Sequence, residues 1–272
     1  MKQFPIAPTE MFRSAWRNRG LIGALVKRDV AGRYRGSFLG ILWSFLNPIF
    51  MLIVYTVVFS AVFKAHWGNR GESESEFALV LFAGLMMFNL FAECTNRAPS
   101  LILSNVNYVK KVVFPLEVLP WVSLGSALFH GAISLLAWLL AYTLLIGIPH
   151  ATALLFPLVV LPFSMLVMGL SWALASLGVF LRDVSQFVGI VTTALMFLSP
   201  IFYPVTAMPE KYRPALYFSP ITIAVEQARN VLYWGVTPDP VIIAGYVLVS
   251  GCIAWLGFAW FQKTRKGFAD VL

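Results

Sequence analysis

Long apolar stretches without charged residues alternate with short basic stretches along this chain. A transmembrane helix needs about 20 consecutive apolar residues to cross a hydrocarbon core of about 30 Å. Because backbone polar groups in lipid must be satisfied within the segment, stretches this long and this uniformly apolar are expected to be helical. The tight-turn residues Gly147, Pro149 and His150 divide one very long stretch into two spans. The pattern predicts six transmembrane helices, at about residues 36–63, 77–97, 118–147, 154–181, 184–204 and 241–262.

The first 35 residues are basic and carry apolar residues at approximately helical spacing. From Thr9 to Arg35 this pattern is compatible with an amphipathic helix that lies on the cytoplasmic surface of the membrane. There, each basic residue near acidic lipid contributes about 1 kcal/mol. The basic residues are also typical of topology signals, and the two interpretations are compatible. The residues assigned to this interface helix are Phe12, Trp16, Arg28, Arg33 and Arg35.

The segment between spans two and three, residues 98–113, is neither a tight turn nor hydrophilic. After Pro99 and Ser100, the residues that would share one face of a short helix are mostly apolar. Such a face favours docking to a protein partner, and packing against the chain's own spans explains the pattern equally well. The residues on this face are Leu101, Ile102, Asn105, Val106 and Val109.

The segment before the last span, residues 205–234, has too regular a pattern for a flexible loop. Two short helices that enter the membrane partway are predicted, from Pro209 to Phe218 and from Pro220 to Tyr233. Non-helical backbone between them is tolerated where it lines an aqueous cavity, so this gate segment is a candidate outer gate. An interfacial cap held by aromatic residues is the alternative. The candidate gate residues are Ile221 and Val225 from an apolar stripe, and Glu226 and Arg229 as a charge pair.

The composition excludes a soluble domain. Of the 272 residues, 59% are hydrophobic and 12% are charged, with a mean hydropathy of +0.79, whereas soluble domains have about 45–50% apolar and about 25% charged residues. Fifteen of the 20 Lys and Arg residues fall on one side of the predicted topology, so both termini are expected in the cytoplasm, with residues 263–272 as a tail. The net charge of +8 therefore reflects orientation and a lipid surface, and no nucleic-acid partner is expected.

The motifs of nucleotide, metal and hydrolase chemistry are missing from the sequence. There is no GxxxxGK[ST] loop, no HExxH pair and no GxSxG elbow, and Cys94 and Cys252 are too far apart for a CxxC site. No catalytic or metal site is predicted, which leaves a membrane scaffold or conduit whose energy comes from elsewhere. His130 is expected to be a hydrogen-bonded interhelical group, whereas a membrane-embedded transferase would depend on Glu93, Glu117 or His130.

Three stretches carry a resemblance to a known family. They are RDVAGRYRGSFLGILWSFLNPIFMLIVYTVVFSAVF from Arg28 to Phe63, NVNYVKKVVFPLEVLP from Asn105 to Pro120, and FLRDVSQFVGIVTTALMFLSPIFYP from Phe180 to Pro204. In order and spacing the chain resembles, from about Arg28 to Tyr233, the ABC-2 type permease subunits of bacterial polysaccharide exporters. This is the group that moves O-antigen, capsule or teichoic acid.

The resemblance implies an all-α integral membrane protein of the bacterial inner membrane that forms a homodimer. A separate dimeric ATPase would bind ATP and magnesium, so this chain would be no enzyme and would hold no cofactor. Residues 98–113, here called the coupling segment, would be a helix that docks into the ATPase. The coupling residues would be Leu101, Ile102, Asn105, Val106, Tyr108, Lys110 and Lys111.

The resemblance also implies that a lipid-linked polysaccharide, foremost O-antigen, passes between the two protomers along aromatic side chains. Sugar rings have apolar faces that stack on flat side chains, and contacts of modest strength let a long chain slide. A related exporter of drugs or lipids, with a less aromatic path, is the nearer alternative, and the membrane-embedded transferase is the distant one. The aromatic residues assigned to the path are Tyr55, Phe59, Phe187, Phe197, Phe202 and Tyr203.

Overall fold

A computed structural model describes residues 5–58, 74–109, 114–217 and 219–272. Every regular element in this part of the chain is helical. Short 3-10 or π segments extend several helices, including Gly40–Leu42 before α3, Ala151–Leu155 before α7 and Asn230–Trp234 after α10. The α-helices are α1 (Pro8–Arg17), α2 (Arg19–Arg33), α3 (Trp43–Tyr55), α4 (Glu74–Arg97), α5 (Val106–Val109), α6 (Val118–Leu145), α7 (Phe156–Phe180), α8 (Val184–Leu198), α9 (Arg213–Tyr217), α10 (Pro220–Arg229), α11 (Pro240–Thr264) and α12 (Phe268–Val271).

Five helical stretches of the described residues are long and apolar enough to cross a membrane. They correspond to predicted spans one, two, three, four and six, although the predicted end of span one, at residue 63, lies outside the described residues. The chain is therefore a multi-pass membrane protein. The five stretches are Gly40–Val58, Glu76–Ser100, Val118–Leu145, Ala151–Phe180 and Pro240–Val271.

Helix α8, the counterpart of predicted span five, is shorter than expected. It has 15 residues, which cover about 22 Å, less than the thickness of the hydrocarbon core. The helix ends at Leu198 because Ser199 adopts extended backbone, the conformation that a following proline imposes. The prediction of a helix that continues to Pro204 is therefore wrong, and Phe202 and Tyr203 lie beyond the helix end.

Helix α4 lies at the centre of the fold. It contacts α6, α7, α8 and α10, and its Leu79, Leu81 and Ala83 are completely buried. The indole Nε1 of Trp138 in α6 donates to the carbonyl of Leu79 at 2.8 Å, which pairs this buried polar group. Helix α4 is therefore the most deeply buried of the five long apolar stretches in the described part of the chain.

Helices α7 and α11 approach each other closely because a glycine on one faces a glycine on the other. A Cβ atom added to Gly169 would overlap the backbone at Ile253, and one added to Gly257 would overlap the backbone of Gly169. Small residues that permit such approach are typical of helix interfaces in membranes. The backbone of Pro99 similarly occupies the space beside Gly178 of α7, so the start of the coupling segment packs directly on α7.

The N-terminal region forms two helices, not the single helix predicted from Thr9 to Arg35. The break occurs at Asn18, whose side-chain amide donates to the carbonyl of Ser14 at 2.8 Å. On the far side of the break, α2 buries Leu25 and Val30, and Leu25 packs against the start of α6. The amphipathic region is thus bent: both α1 and α2 contact α6, and α1 also contacts α11.

The coupling segment is also more irregular than the predicted helix. Ala98–Ser100 and Leu103–Asn105 are 3-10 turns, and Val106–Val109 forms the short helix α5. Residues 110–113 lie outside the described residues. The segment is thus a chain of short turns continuous with the end of α4.

The last residues are helical and packed, although the sequence was interpreted only as a tail over residues 263–272. Helix α11 continues to Thr264, and α12 follows after a 3-10 turn. Phe268 is completely buried, with its ring 5.9 Å from that of Phe180 and 5.4 Å from that of Phe261. These contacts hold α12 against α7.

Candidate functional site

An ion-pair cluster joins α2 to α4 and α6. The guanidinium of Arg97 donates to both carboxylate oxygens of Asp29, at 2.9 and 2.8 Å, and the hydroxyl of Ser126 donates to Asp29 at 2.7 Å. Burial disfavours the charged form of Asp29, but the hydrogen bonds from Arg97 and Ser126 and the charge of Arg97 outweigh it and lower the pKa of Asp29. A two-pronged pair of this kind fixes geometry as well as charge, so it holds α2 in one position on α4.

The same cluster contains a second ion pair, one helical turn deeper. Nη2 of Arg33 donates to Glu93 at 2.8 Å, and Nδ1 of His130 lies 3.1 Å from each oxygen of that carboxylate. The expectation that His130 is a hydrogen-bonded interhelical group is confirmed, because it links α6 to α4. Two carboxylates and two guanidiniums balance one another in the cluster.

A polar cavity of about 540 Å³ opens beside the ion-pair cluster, between α3, α4 and α6. Asn47 and Ser44 of α3 and Asn89 and Asn96 of α4 contribute neutral polar groups to its wall, and Tyr55 contributes an aromatic ring. Such a lining can hydrogen-bond a hydroxyl-rich molecule, and its balanced charges give no strong preference for an ion. Among the described residues, no three His, Cys, Asp or Glu side chains are placed to hold a metal ion.

Helix α2 also contacts the coupling segment directly. Nη1 of Arg28 donates to the hydroxyl of Tyr108 at 2.9 Å. The ring of Tyr108 stacks on Phe114 with 4.2 Å between centroids and 10° between planes. The coupling segment is therefore hydrogen-bonded to α2 through Tyr108 and stacked, through the same residue, on the short segment that precedes α6.

The predicted coupling residues that the structure describes divide into two groups. Leu101 and Ile102 are buried within the chain, so their apolar side chains pack on its own spans. Asn105, Val106 and Tyr108 are half-buried. Lys110 and Lys111 lie outside the described residues.

Glu117, at the start of α6, connects three further parts of the chain. Its carboxylate accepts from the hydroxyl of Ser14 in α1 at 3.0 Å and from Nη1 of Arg265, just beyond α11, at 2.5 Å. Its backbone carbonyl accepts from Nε1 of Trp172 in α7 at 3.2 Å. Glu117 and Glu93 are thus both engaged in contacts between helices.

The gate segment is organised around a buried arginine. Helices α9 and α10 occupy the positions of the two predicted short helices. Arg229, which is 1% exposed, donates to Glu226 at 2.9 Å, as the spacing predicted. It also donates to the carbonyls of Val80, Pro200 and Ile201, at 3.1, 2.6 and 2.7 Å. Arg229 therefore satisfies buried backbone groups beyond the end of α8 and joins α10 to α4.

The other two candidate gate residues are also in the core. Ile221 and Val225 are 2% and 0% exposed. Val225 and Arg229 both fit against Gly84 of α4, where a Cβ atom would lie 3.1 Å from Val225 and 2.8 Å from Arg229. In this conformation the stripe of α10 therefore packs on α4.

The sequence from residue 20 to residue 233 matches the family described as ABC-2 type transporter. This chain belongs to that family. Over 262 residues the ABC-2 chain is 29% identical to the O-antigen export system permease protein RfbA of Myxococcus xanthus, an alignment that covers 96% of this chain and 98% of that protein. It is 25% identical to an RfbA of Klebsiella pneumoniae, covering 93% and 95% of the two chains. It is 23% identical to the polysialic acid transport protein KpsM of Escherichia coli, covering 90% and 93%.

Three of the aromatic residues assigned to a path in this ABC-2 chain lie together at the end of α8, namely Phe197, Phe202 and Tyr203. Phe187 and Phe197 of α8 are 66% and 61% exposed, and Phe197 stacks on Phe202 at 5.7 Å. The hydroxyl of Tyr203 donates to the carbonyl of Phe197 at 3.3 Å, which folds the chain back on the end of α8. Tyr55 lines the polar cavity, and Phe59 lies outside the described residues.

The residues assigned to the interface helix have two different environments. Phe12 and Trp16 of α1 are exposed. Arg28 and Arg33 of α2 bind Tyr108 and Glu93 of the same chain and are also exposed, so their assignment to a lipid surface stays a prediction. Arg35 is exposed beyond the end of α2.

Sequence reasoning missed Asp29, Arg97 and Ser126 as members of the ion-pair cluster. A signal was present, because ionisable residues at membrane depth are costly and generally have a partner. Glu93 and Arg97 at the end of one apolar stretch and His130 inside another were such residues. The identity of the partner on α2 required the structure.

Proposed function

We propose that this chain is the permease subunit of an ATP-driven exporter of lipid-linked polysaccharide in the bacterial inner membrane, with O-antigen as the substrate. The observation that carries the proposal is the nearly full-length similarity to a protein named as an O-antigen export permease, covering 98% of that protein. Similarity to a polysialic acid transport protein is consistent with a surface polysaccharide as the cargo.

ATP hydrolysis is assigned to a separate subunit because the sequence contains no phosphate-binding loop. The ATPase would dock on the coupling segment, where Ser104 and Asn107 are exposed. Two contacts support this assignment. The Arg28–Tyr108 hydrogen bond and the packing of Pro99 on Gly178 connect the segment to α2 and to α7, so a force applied there would reach both helices.

A homodimer with the path between protomers accounts for the exposure of α3 and α8. Helix α3 exposes Phe45 and Phe50, and α8 exposes Phe187 and Phe197. Helix α8 is too short to cross a bilayer by itself, which suits a position against a second protomer better than one surrounded by lipid. In this arrangement Phe187 and Phe197 would offer flat faces to passing sugar rings.

The proposed topology has six membrane passages, with both termini in the cytoplasm and the gate segment on the outer side. The distribution of basic residues supports it, since 15 of the 20 fall in the segments assigned to the cytoplasm. Helices α9 and α10 would then enter the membrane from the outer side without crossing it. Opening of the path would require the stripe of α10 to separate from α4.

Deletion and complementation in the source bacterium test the substrate. The deletion strain should lose surface polysaccharide and accumulate the lipid-linked polymer inside, and the wild-type chain should restore export. An unchanged surface polysaccharide in the deletion strain would refute the proposal and would favour an exporter of drugs or lipids.

Co-purification tests the division into two subunits. The chain should co-purify with a co-expressed ATPase subunit, and ATP turnover should require that subunit. Tyr108→Ala removes the contact to Arg28 and should weaken ATP-dependent export. Tyr212 is an exposed tyrosine of the gate segment, and Tyr212→Ala should leave the complex intact. Hydrolytic or transferase turnover by the isolated chain would contradict the assignment.

A further inference from the structure

An apolar cavity of about 390 Å³ lies between α1, α6, α7 and α11, away from the ion-pair cluster and the polar cavity. Its volume is within the range of ligand-binding pockets. Apart from Ser164, every lining residue is aliphatic, aromatic or methionine. Trp121 and Trp172, whose rings meet edge to face at 5.8 Å, form part of the wall. A hydrocarbon chain is the ligand chemistry that such a lining accepts.

The wall that α1 contributes is fixed in place. The hydroxyl of Ser14 donates to Glu117 at 3.0 Å, and Nε1 of Trp255 in α11 donates to the carbonyl of Ile6, ahead of α1, at 3.0 Å. Met11, which lines the cavity between these two anchor points, is 3% exposed. Two hydrogen bonds therefore hold α1 in place over the cavity.

A basic surface adjoins the apolar cavity. Phe12 lines the cavity and also borders a shallow depression formed with Arg13, Trp16 and Arg19. Arg19 lies over the ring of Trp16 at 4.8 Å. Arg13 has no hydrogen-bond or ion-pair partner among the described residues, whereas Arg17 on the same helix is paired with Glu10 at 3.1 Å. The apolar cavity is thus adjacent to Arg13, whose guanidinium is free to bind an anion.

We propose that this site holds one anionic phospholipid, with an acyl chain in the apolar cavity and the phosphate near Arg13 and Arg19. The charge complementarity selects an anionic headgroup over a zwitterionic one. The bound lipid would seal α1 to α7 and α11. The site is separate from α3 and α8, so it is independent of the proposed polysaccharide path.

Native mass spectrometry of the purified full-length chain tests the site. The protein is titrated with palmitoyl-oleoyl phosphatidylglycerol and, separately, with phosphatidylcholine of the same acyl chains. We expect phosphatidylglycerol to bind more tightly at the first site. Arg13→Gln should weaken its binding about fivefold, the factor that corresponds to about 1 kcal/mol for one basic residue. The matched control Arg17→Gln removes the same charge outside the site and should change binding much less.

The hydrocarbon part of the site has its own pair of variants. Leu161 lines the cavity and Leu158 on the same helix does not, and both are exposed. Leu161→Trp should displace both lipids, whereas Leu158→Trp should displace neither, and size-exclusion profiles of both variants should match the wild type. Equal affinity for the two headgroups, or equal effects of the two arginine variants, would overturn the proposal. So would equal effects of the two tryptophan variants.

Discussion

Replacing Asp29 with asparagine should release α2 from α4 without unfolding the membrane helices. The substitution preserves shape but removes the charge that balances Arg97. A hydrogen bond to a charged group contributes about 1.5–3 kcal/mol. The side chains of Asp29 and Arg97 are 30% and 31% exposed, so solvent screening weakens their interaction. The free energy of docking lost with this pair is therefore about 2 kcal/mol. That free energy corresponds to about a 30-fold larger population of undocked α2.

Hydrogen–deuterium exchange of the protein in lipid nanodiscs measures this population. Peptides from α2 in the Asp29→Asn variant should exchange about 30-fold faster, while peptides from α7 and α11 should exchange at the wild-type rate. Lys27→Gln is the matched control, because Lys27 is an exposed residue of the same helix. Arg97→Gln should reproduce the effect, and the double variant should be no worse than either single one. Equal exchange in the Asp29 and Lys27 variants would refute the role of the ion pair.

Three further predictions concern pH, packing and coupling. The pKa of Asp29 is lowered in the folded protein, so docking of α2 should be complete above the ordinary aspartate range. It should weaken as the pH falls through the lowered pKa. Hydrogen–deuterium exchange rates of α2, corrected for the intrinsic pH dependence of exchange, measure this change. Gly257→Ala should cost about 1–3 kcal/mol by forcing α7 from α11, whereas Gly245→Ala, with open space around it, should be neutral or stabilising in thermal unfolding. Tyr108→Phe should reduce export while membrane insertion, measured by fractionation, stays unchanged, because only its hydrogen bond to Arg28 is lost; equal loss of insertion would contradict this.

The positions of the membrane helices could be predicted because burial in lipid imposes a simple requirement on composition and length. The end of α8 was missed for an instructive reason. The apolar run continues through Ile201 and Phe202, so hydropathy alone extends the span. The local signal was Ser199 before Pro200, which ends the helix by backbone sterics regardless of polarity. In lipid, as in water, backbone geometry decides where an apolar helix stops.

The candidate site was less predictable because its contacts join distant residues. Asp29 meets Arg97 across 68 positions, and Ser126 across 97. Spacing within a helix predicted the pairing of Glu226 with Arg229, since those residues are three apart. The three backbone carbonyls that Arg229 also binds come from other parts of the chain. Local pattern therefore identifies pairs, and only the tertiary structure identifies networks.

The contact between Gly178 and Pro99 has a mechanical consequence. Backbone against backbone leaves no flexible side chain to absorb a displacement, so the beginning of the coupling segment and α7 must move as one body. Gly169 and Gly257 extend the same stiffness from α7 to α11. A force applied to residues 98–100 would therefore tilt α7 and α11 together. A side chain at position 178 would push the coupling segment away from α7 and so break this transmission.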